Sequence, residues 1–579
     1  MQYFFLIFFI SISFFACAGL LIELVTAVVK PQLATGTKTV AGAYGRIFYQ
    51  AWMESQAQKD EEEATGGDGN VQASAQALED TVQNFLREGI HASEDKYFKG
   101  VRFMLQAFHD VQRAKLDAML LRVYDPILWR SLRCANAQVR AQAAVVFLDV
   151  FPLQHADGRA EDNDKILQKQ FDLLAALLTD TDQHVRAHAA LGVCHILKEY
   201  WESLPLNTTH NILKFLIDTL SVDSSCANVR HAVFVGLGVL FQQPLTHTLL
   251  KQLLPLLRNS IHDKSEKVRV AFMKILCQVK GIRGMHFYDI VPVDHLLARM
   301  AADRNCPAVS LVMTELLLNS FFPQAEAGAT SPETEQLNRC MQFIAKEPVA
   351  AEVFYSHLHH FISIGQVAKL ITVMFTFLVT AEARSRAAAA GDGEYTEEVT
   401  SGKRRRNPKT TQMQLGFAEK LGLMRLVLKL LESVCEELVV QHLSRDLVTK
   451  YLTEEHARSL LASSAACDST QAVHLLPVAV KLVAFAVSLR KMGTASGGKA
   501  TQRGRQQPQT LTGASSMQEL LLDVYLPAWT GAGALEQNKQ EMARSALASA
   551  FVQVFRSDNQ EVKYFCMSCC VKYCINKRS

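Results

Sequence analysis

Apolar residues recur along much of this chain with the spacing of an amphipathic helix. One clear stretch follows the i, i+3, i+4, i+7 pattern at Leu116, Met119, Leu120, Val123, Ile127 and Leu128. Strict apolar–polar alternation, the pattern of a half-buried strand, is almost absent. We therefore predict an all-α fold, with helices over 20–55 (broken at Pro31), 78–380, 414–490 and 517–564.

A short sequence element recurs within the longest helical block. It reads NAQVR at 136–140, DQHVR at 182–186, CANVR at 226–230 and SEKVR at 265–269, and a degenerate copy, CPAVS, occupies 306–310. The copies follow one another at intervals of about 40 residues, which is the period typical of HEAT and armadillo helix pairs. We predict a HEAT/armadillo-like helical-repeat solenoid with disordered insertions.

Each position of this element has a physical task. Asn136, Asp182 and Ser265 are suited to cap a helix that begins just after them. The valine of each copy then faces the core, and the apolar runs that follow contain small residues that let neighbouring helices approach closely. These small residues are Ala143, Ala144, Ala189, Ala190, Gly236 and Gly238.

The repeated arginine has two possible roles, as a structural contact or as a DNA contact. Because it recurs at the same phase in every copy, we predict a ladder that pairs with aspartates along the solenoid; its members are Arg140, Arg186, Arg230 and Arg269. Lys264 and Lys267 are less regular. We predict that these two lysines are the better candidates for contacts with DNA phosphates.

Several segments depart from the helical pattern. Residues 56–77 are rich in Gln, Ala, Gly and acidic residues and are predicted to form a flexible loop. Residues 381–413 and 491–516 read as disordered basic insertions. Residues 565–579 form a Cys-rich tail whose composition differs from what precedes it.

The first 19 residues are strongly apolar, and Glu23 is the first charged residue. A signal sequence, a membrane span or a buried helix would fit this hydropathy. No Lys or Arg precedes the apolar run, and its Phe, Ile and Ser content is what pyrimidine-rich codons encode. We therefore interpret residues 1–19 as translated intron from an imperfect gene model.

Overall charge does not identify a partner. The chain has 60 Lys and Arg against 57 Asp and Glu, a net charge of +3, so DNA binding would have to come from local clusters. One such cluster is a candidate nuclear-import signal, with non-specific DNA contact as the alternative role; it comprises Lys403, Arg404, Arg405, Arg406 and Lys409. Most of the 13 cysteines are scattered singly, which indicates free thiols in a reducing compartment.

No constellation of residues indicates catalysis. The near P-loop that ends at Lys499 is followed by Ala500 where magnesium binding needs Ser or Thr. The histidines at 357, 359 and 360 have no acidic or thiol partner at metal-ligand spacing, and the cysteines at 566, 569, 570 and 574 lack the spacer of a zinc site. We predict no enzyme, no cofactor and no metal, and we expect Trp129 and Trp201, inside helical runs, to be core residues.

Four stretches carry a resemblance to a known family. They are LATGTKTVAGAYGRIFYQAW at 33–52, YDPILWRSLRCANAQVRAQAAVVFLDVFPL at 124–153, LGVCHILKEYW at 191–201 and LLPLLRNSIHDKSEKVRVAFMKIL at 253–276. They resemble the G-type HEAT-repeat (non-SMC regulatory) subunit of condensin II. Members of that family are considerably longer, so we expect this chain to be shortened at one or both ends.

The resemblance implies a nuclear, chromosome-associated protein that acts in mitotic chromosome condensation. It implies binding to the H-type kleisin and, through it, to a pair of SMC ATPases. It also implies sequence-independent contact with chromosomal DNA, with no membrane and no small-molecule substrate.

Two alternatives remain open from the residues alone. One is an importin-like transport adaptor, although such carriers tend to be acidic and this chain has a net charge of +3. The other is a membrane-anchored helical scaffold, which depends on residues 1–29 being a true anchor.

Overall fold

The computed structural model describes residues 18–65, 70–111, 114–154, 160–324, 332–389 and 416–441, and scattered positions between 456 and 482. It divides into two compact units, Met1–Val291 and Pro292–Ser579. All regular structure in the described ranges is helical, which confirms the all-α prediction for these residues. The predicted segments 491–516, 517–564 and 565–579, and residues 1–17, lie outside them.

The first unit begins with four helices: α1 (Ala18–Leu33), α2 (Lys38–Thr65), α3 (Asn70–Ile90) and α4 (Asp95–His109). The predicted break at Pro31 is wrong by a few residues, because Pro31 lies in the last turn of α1. The chain reverses at Gly36, whose φ of 65° is a conformation that glycine adopts without strain.

The predicted flexible loop at 56–77 needs correction. Helix α2 continues to Thr65 and α3 begins at Asn70, so most of this segment is helical. Gln, Ala, Glu and Lys are good helix formers, and a polar, Gln-rich composition does not oppose a helix when it lacks internal Pro and Gly. The glycines of the segment fall between residues 66 and 69, at the boundary of the two helices.

The rest of the first unit contains the repeats. Its helices are α5 (Ala114–Ser131), α6 (Ala137–Val150), α7 (Ala160–Leu178), α8 (Gln183–Glu199), α9 (Leu206–Asp218), α10 (Ala227–Leu240), α11 (His247–Leu253), α12 (Glu266–Lys280) and α13 (Phe287–Ile290). The 3-10 turns Leu220–Val222, Pro244–Thr246 and Leu254–His262 extend or connect them.

These helices pair and stack in two layers. The second helices of the repeats pack on one another in the order α4, α6, α8, α10 and α12. Helices α4, α6 and α8 each lie against their own first helix, whereas α10 and α12 lie against the 3-10 turns Leu220–Val222 and Leu254–His262. The first helices form the other layer, in which α3 packs on α5, and α9 packs on the 3-10 turn Leu254–His262. This layering of helix pairs, one pair for each copy of the repeated element, is the helical-repeat arrangement that the sequence predicted.

The repeated element caps and anchors the second helices. Asn136 Oδ1 accepts the backbone N–H groups of Gln138 and Val139, and Asp182 caps α8 in the same way. Ser265 makes no side-chain cap, so this part of the capping prediction is wrong; its own N–H donates to the Asp263 carboxylate instead. The valines of all five copies are buried, as predicted: Val139, Val185, Val229, Val268 and Val309.

The second unit contains α14 (Val293–Ala302), α15 (Pro307–Phe321), α16 (Pro332–Lys346), α17 (Pro348–Ser356), the 3-10 turn Leu358–His360, α18 (Ile364–Ala389) and α19 (Phe417–Val440). Helices α16, α17 and α18 pack on α19. Helix α18 continues through 381–389, the start of the segment that was predicted to be disordered, because AEARSRAAA is rich in strong helix formers. Residues 390–413 of that prediction lie outside the described part.

The stretch Ile364–Ala381 of α18 is long and apolar enough to cross a membrane by length and composition. Core helices meet the same criterion. Val367, Ile371 and Met374 lie on one face of α18 and are buried, and α18 packs against α19. Of the stretch Ile364–Ala381, 39% is buried.

Candidate functional site

Three of the predicted ladder arginines form ion pairs with aspartates of the next repeat. Arg140 Nε and Nη2 lie 2.8 and 2.9 Å from the Asp180 carboxylate oxygens. Arg230 forms the same bidentate contact with Asp263, with Nε and Nη2 at 2.6 and 3.0 Å from its carboxylate oxygens. Arg186 Nε donates to Asp223 at 3.0 Å. A planar guanidinium matches a carboxylate in this geometry, so each pair ties one repeat to the next.

Each ladder arginine also holds the turn that precedes its own helix. Arg140 Nη1 donates to the carbonyl oxygens of Cys134 and Ala135, both at 2.9 Å. Arg269 Nη1 donates in the same way to the backbone carbonyl oxygen of Asp263, at 2.8 Å. In the degenerate copy, Ser310 Oγ donates to the Asp303 carbonyl at 3.3 Å, so a shorter side chain contacts the same place in its turn.

Charge in the ladder is balanced locally. Burial raises the pKa of Asp180, but hydrogen bonds from Arg140 and from the Asp182 backbone outweigh it and hold that pKa below its usual range. The hydrogen bond to Asp263 raises the pKa of Arg230. Side chains of Arg140 and Asp180 are only 14% and 12% exposed. A guanidinium so occupied has little capacity left for a phosphate.

The predicted DNA-contact lysines are both exposed, at the start of α12. Lys264 lies in the turn before the helix, and Lys267 lies in its first turn with Nζ donating to Asn228 Oδ1 on α10. Lys267 thus spans two second helices. Among the described residues, the structure gives the Lys264 ammonium no partner.

The structure adds two residues to this surface. Lys274 is exposed two turns after Lys267 on α12, and His231 lies on α10. Burial lowers the pKa of His231, and the positive charges of Lys267 and Lys274 lower it further. Lys267 also donates to Asn228, which lies one turn before His231 on the same helix. The spacing of Lys267 and Lys274 is visible in the sequence; the proximity of His231 is not. We call Lys264, Lys267, Lys274 and His231 the α12 basic surface.

The remaining predicted sites are less informative. The import candidate at 403–409, the near P-loop and the Cys-rich tail lie outside the described residues. His357, His359 and His360 sit around a 3-10 turn, and His357 Nδ1 lies 2.8 Å from the Val353 carbonyl oxygen. No group of three or more metal-binding side chains occurs within the part of the chain that the structure describes.

The tryptophans differ from the prediction. Trp129 lies within α5 but is only partly buried, and its ring packs on that of Phe147 in a T-shaped arrangement with the ring centroids 5.8 Å apart. Trp201 follows the end of α8 rather than lying inside it and is also partly exposed. None of the described cysteines forms a disulfide, and burial raises the thiol pKa of Cys194 and of Cys340 to about 12.

Comparison with solved structures gives matches of low TM-score. A crystal structure of importin beta aligns with 94% of this chain and 70% of its own, at 12% identity and a TM-score of 0.30. An engineered protein aligns with 81% of this chain and 98% of its own, at 12% identity and a TM-score of 0.29. At these TM-scores neither match adds to the description of the fold.

Comparison with sequence families is more specific. Residues 7–155 match the family model of the condensin II non structural maintenance of chromosomes subunit. That match begins inside the segment 1–19 that was interpreted as intron. Condensin-2 complex subunit G2 of Homo sapiens is 35% identical over 357 residues, and that of Danio rerio is 36% identical over 354 residues.

Both alignments cover 61% of this chain, and the chain spans only 29% of the length of these relatives. Alignments of this length extend well beyond the family-model match, into the repeats that carry the arginine ladder. Over the aligned part of its length, therefore, this chain is similar to the condensin II G2 subunits.

Proposed function

We propose that this chain is a non-catalytic HEAT-repeat regulatory subunit of condensin II that binds the H-type kleisin and the DNA backbone. Through the kleisin it would join the pair of SMC ATPases and support mitotic chromosome condensation and segregation. The observation that carries the proposal is the 35% identity to condensin-2 subunit G2 over 357 residues. The protein's own contribution is binding, and ATP hydrolysis belongs to the SMC partners.

The α12 basic surface supports the DNA part of this proposal. Lys264, Lys267 and Lys274 are exposed along α12 and the turn before it, whereas the ladder arginines Arg140 and Arg230 are occupied by aspartates. Ammonium groups on flexible stems hold phosphate oxygens without reading base sequence. The surface belongs to the layer of second helices, whose members stack side by side and so offer an extended face to a polymer.

Co-purification tests the kleisin part of the proposal. The full chain is co-expressed with the H-type kleisin, and the pair is followed through affinity and size-exclusion steps. A stoichiometric complex supports the assignment. If the folded chain elutes alone at all kleisin concentrations, the proposed partner is wrong.

A salt series tests the role of the lysines. Each phosphate contact that a lysine makes contributes about 0.9 to the slope of log affinity against log salt concentration. For duplex DNA we expect the K264A/K267A variant to bind more weakly at low salt and to lose about 2 from that slope. Fluorescence anisotropy with a labelled random-sequence duplex measures both quantities.

The matched control is K165A/K214A, which removes the same charge from exposed positions on α7 and α9, in the layer of first helices. Its slope should equal that of the unmodified chain. Equal slopes for both variants and the unmodified chain would contradict the assignment of Lys264 and Lys267.

The import proposal concerns the basic run at 403–409. We expect that replacing Lys403, Arg404, Arg405 and Arg406 by alanine shifts a fluorescently tagged full chain from the nucleus to the cytoplasm in interphase cells, because import receptors read such runs through charge. Live-cell imaging measures the nuclear fraction. Replacing Arg503 and Arg505 provides the control, and an unchanged nuclear fraction in the first variant would refute the signal.

A further inference from the structure

A cavity of about 310 Å³ lies where three second helices of the first unit end. Its lining includes His109, the last residue of α4, Asp149 and Val150 at the end of α6, and Tyr200, which follows α8. Side chains of the first helices α5 and α7 close the other side. The proposed DNA contacts lie on α12 and in the turn before it, so the cavity is a separate feature.

The backbone gives this cavity a negative potential. Each α-helix carries roughly half a negative charge at its C-terminus, because the last carbonyl groups have no donors within the helix. At the end of α6, Pro152 has no N–H for the Leu148 carbonyl, and the Leu153 N–H donates to Gln170 Oε1 at 3.0 Å instead of continuing the helix. Three helices of 15, 14 and 17 residues end here, and their dipoles all favour a cation.

Two carboxylates add to this potential, and one of them has no cation. Arg102 contacts both oxygens of Asp149, at 2.6 and 2.8 Å, so that charge is matched. Asp117 lies on the α5 side of the cavity, and among the described residues the structure gives its carboxylate no hydrogen bond and no ion pair. Burial raises the pKa of Asp117, which is the effect expected for a carboxylate without a partner.

The described basic groups around the cavity are uncharged or already paired. Burial lowers the pKa of His109 to about 4, so its imidazole is neutral at pH 7. Lys115, in the first turn of α5, contacts both carboxylate oxygens of Asp60. Lys198, near the end of α8, lies 3.2 Å from Glu199. The unmatched charge of the cavity is therefore negative.

The rest of the lining suits an aliphatic stem. Leu120, Leu167 and Leu204 line the cavity beside the carboxylates. Long basic groups bury their methylene stems against such apolar surface while the charged head meets a partner. The volume is at the small end of ligand pockets, which fits one such group better than a folded segment. No set of three or more metal-binding side chains occurs among the described residues, so a bare metal ion is not favoured.

We propose that this cavity binds a guanidinium or ammonium group carried on an aliphatic stem. Asp117 pairs with the cation, the ends of α4, α6 and α8 stabilise its charge, and the leucines pack on the stem. Two sources share this chemistry: an Arg or Lys side chain of a partner protein, and a free polyamine. The inference does not depend on the proposed kleisin or DNA contacts.

Butylguanidinium supplies the probe and is titrated into the full chain, with binding followed by saturation-transfer difference NMR. Butylurea has the same shape without the charge and is the ligand control. We expect butylguanidinium to bind at least about fivefold more tightly than butylurea, because only the charged form gains from the negative potential. Equal affinities, or no binding of butylguanidinium, would overturn the proposal.

Two matched pairs of variants locate the probe. D117N removes the unmatched charge and should weaken butylguanidinium by about threefold to fivefold, whereas D172N, at an exposed position of α7 outside the cavity, should not. Ser203 is exposed and lines the cavity, and Asn207 is exposed nearby but is not part of the lining. S203F should fill the cavity and weaken the probe by at least about tenfold, and N207F should leave it unchanged. Equal affinities within either pair would place the probe elsewhere and reject the site.

Competition identifies the source of the cation. Displacement of the probe by a capped Gly-Arg-Gly peptide would show that a side chain on a protein backbone reaches the site, and would make a partner protein the source. Displacement by spermidine but not by the peptide would assign the cavity to a free polyamine. Failure of both to compete would overturn the proposal, because neither carrier of the group would then fit.

Discussion

Replacing Gly45 by alanine is expected to destabilise the first unit by about 2–3 kcal/mol, although alanine is the better helix former. A Cβ at this position would lie 2.2 Å from the Met104 carbonyl oxygen and 3.0 Å from the Ala107 Cβ. The atom it meets belongs to the backbone of α4, so relief requires α2 and α4 to move apart. Urea denaturation followed by circular dichroism measures the loss.

Gly42 provides the control on the same helix, one turn earlier. A Cβ there would meet only the Arg46 guanidinium at 3.7 Å, an ordinary contact. The G42A variant should therefore gain up to about 1 kcal/mol from helix propensity. If G45A proved as stable as G42A, the close approach of α2 and α4 would be refuted.

Replacing Arg230 by methionine is expected to lower the free energy of unfolding by about 2–3 kcal/mol. Removing one partner of a buried ion pair leaves the other charge without compensation, which costs about 3–5 kcal/mol when both are fully buried. The Arg230 and Asp263 side chains are 15% and 9% exposed rather than fully buried, so we expect a smaller loss than that range. Urea denaturation at pH 7 measures the difference.

Two further variants separate charge from packing. R258M removes an exposed arginine and should change stability by less than about 0.5 kcal/mol. R230M/D263N should recover part of the loss, because an asparagine oxygen can still accept the Ser265 N–H while the stranded charge is gone. If R230M were as stable as R258M, the ladder pairs would contribute nothing to folding.

The Arg230–Asp263 pair also determines whether the stability of the fold rises or falls with pH. Burial raises the pKa of Asp263, but hydrogen bonds from Arg230 and the Ser265 backbone outweigh it, so the folded-state pKa lies below the ordinary value. The pair therefore contributes stability above about pH 4, which is lost as the pH falls through the folded-state pKa. The difference in the free energy of unfolding between R230M and the unmodified chain should therefore become smaller over that acidic range.

Local patterns explain why much of the fold was predictable. Apolar spacing and the regular recurrence of the repeated element identified the helix pairs. The repeated element itself also identified the start of each second helix. Each of these signals depends on residues within one or two helical turns. Two of the predictions that failed, the loop at 56–77 and the break at Pro31, came from judging composition where helix propensity and the position of Pro in the last turn decided the outcome.

The sequence pattern alone was enough to predict the helical class, the repeat period and the buried valines. It was also enough to predict that the repeated arginine pairs with aspartates along the solenoid. The packed fold was needed to decide which aspartate each arginine meets, such as Asp180 for Arg140, and that Gly45 touches the backbone of α4. Packing also placed Lys267 of α12 against Asn228 of α10, which the sequence pattern did not reveal. The reason is that periodicity sets which face of a helix is buried, whereas the offset and spacing between neighbouring helices depend on how all their side chains fit together.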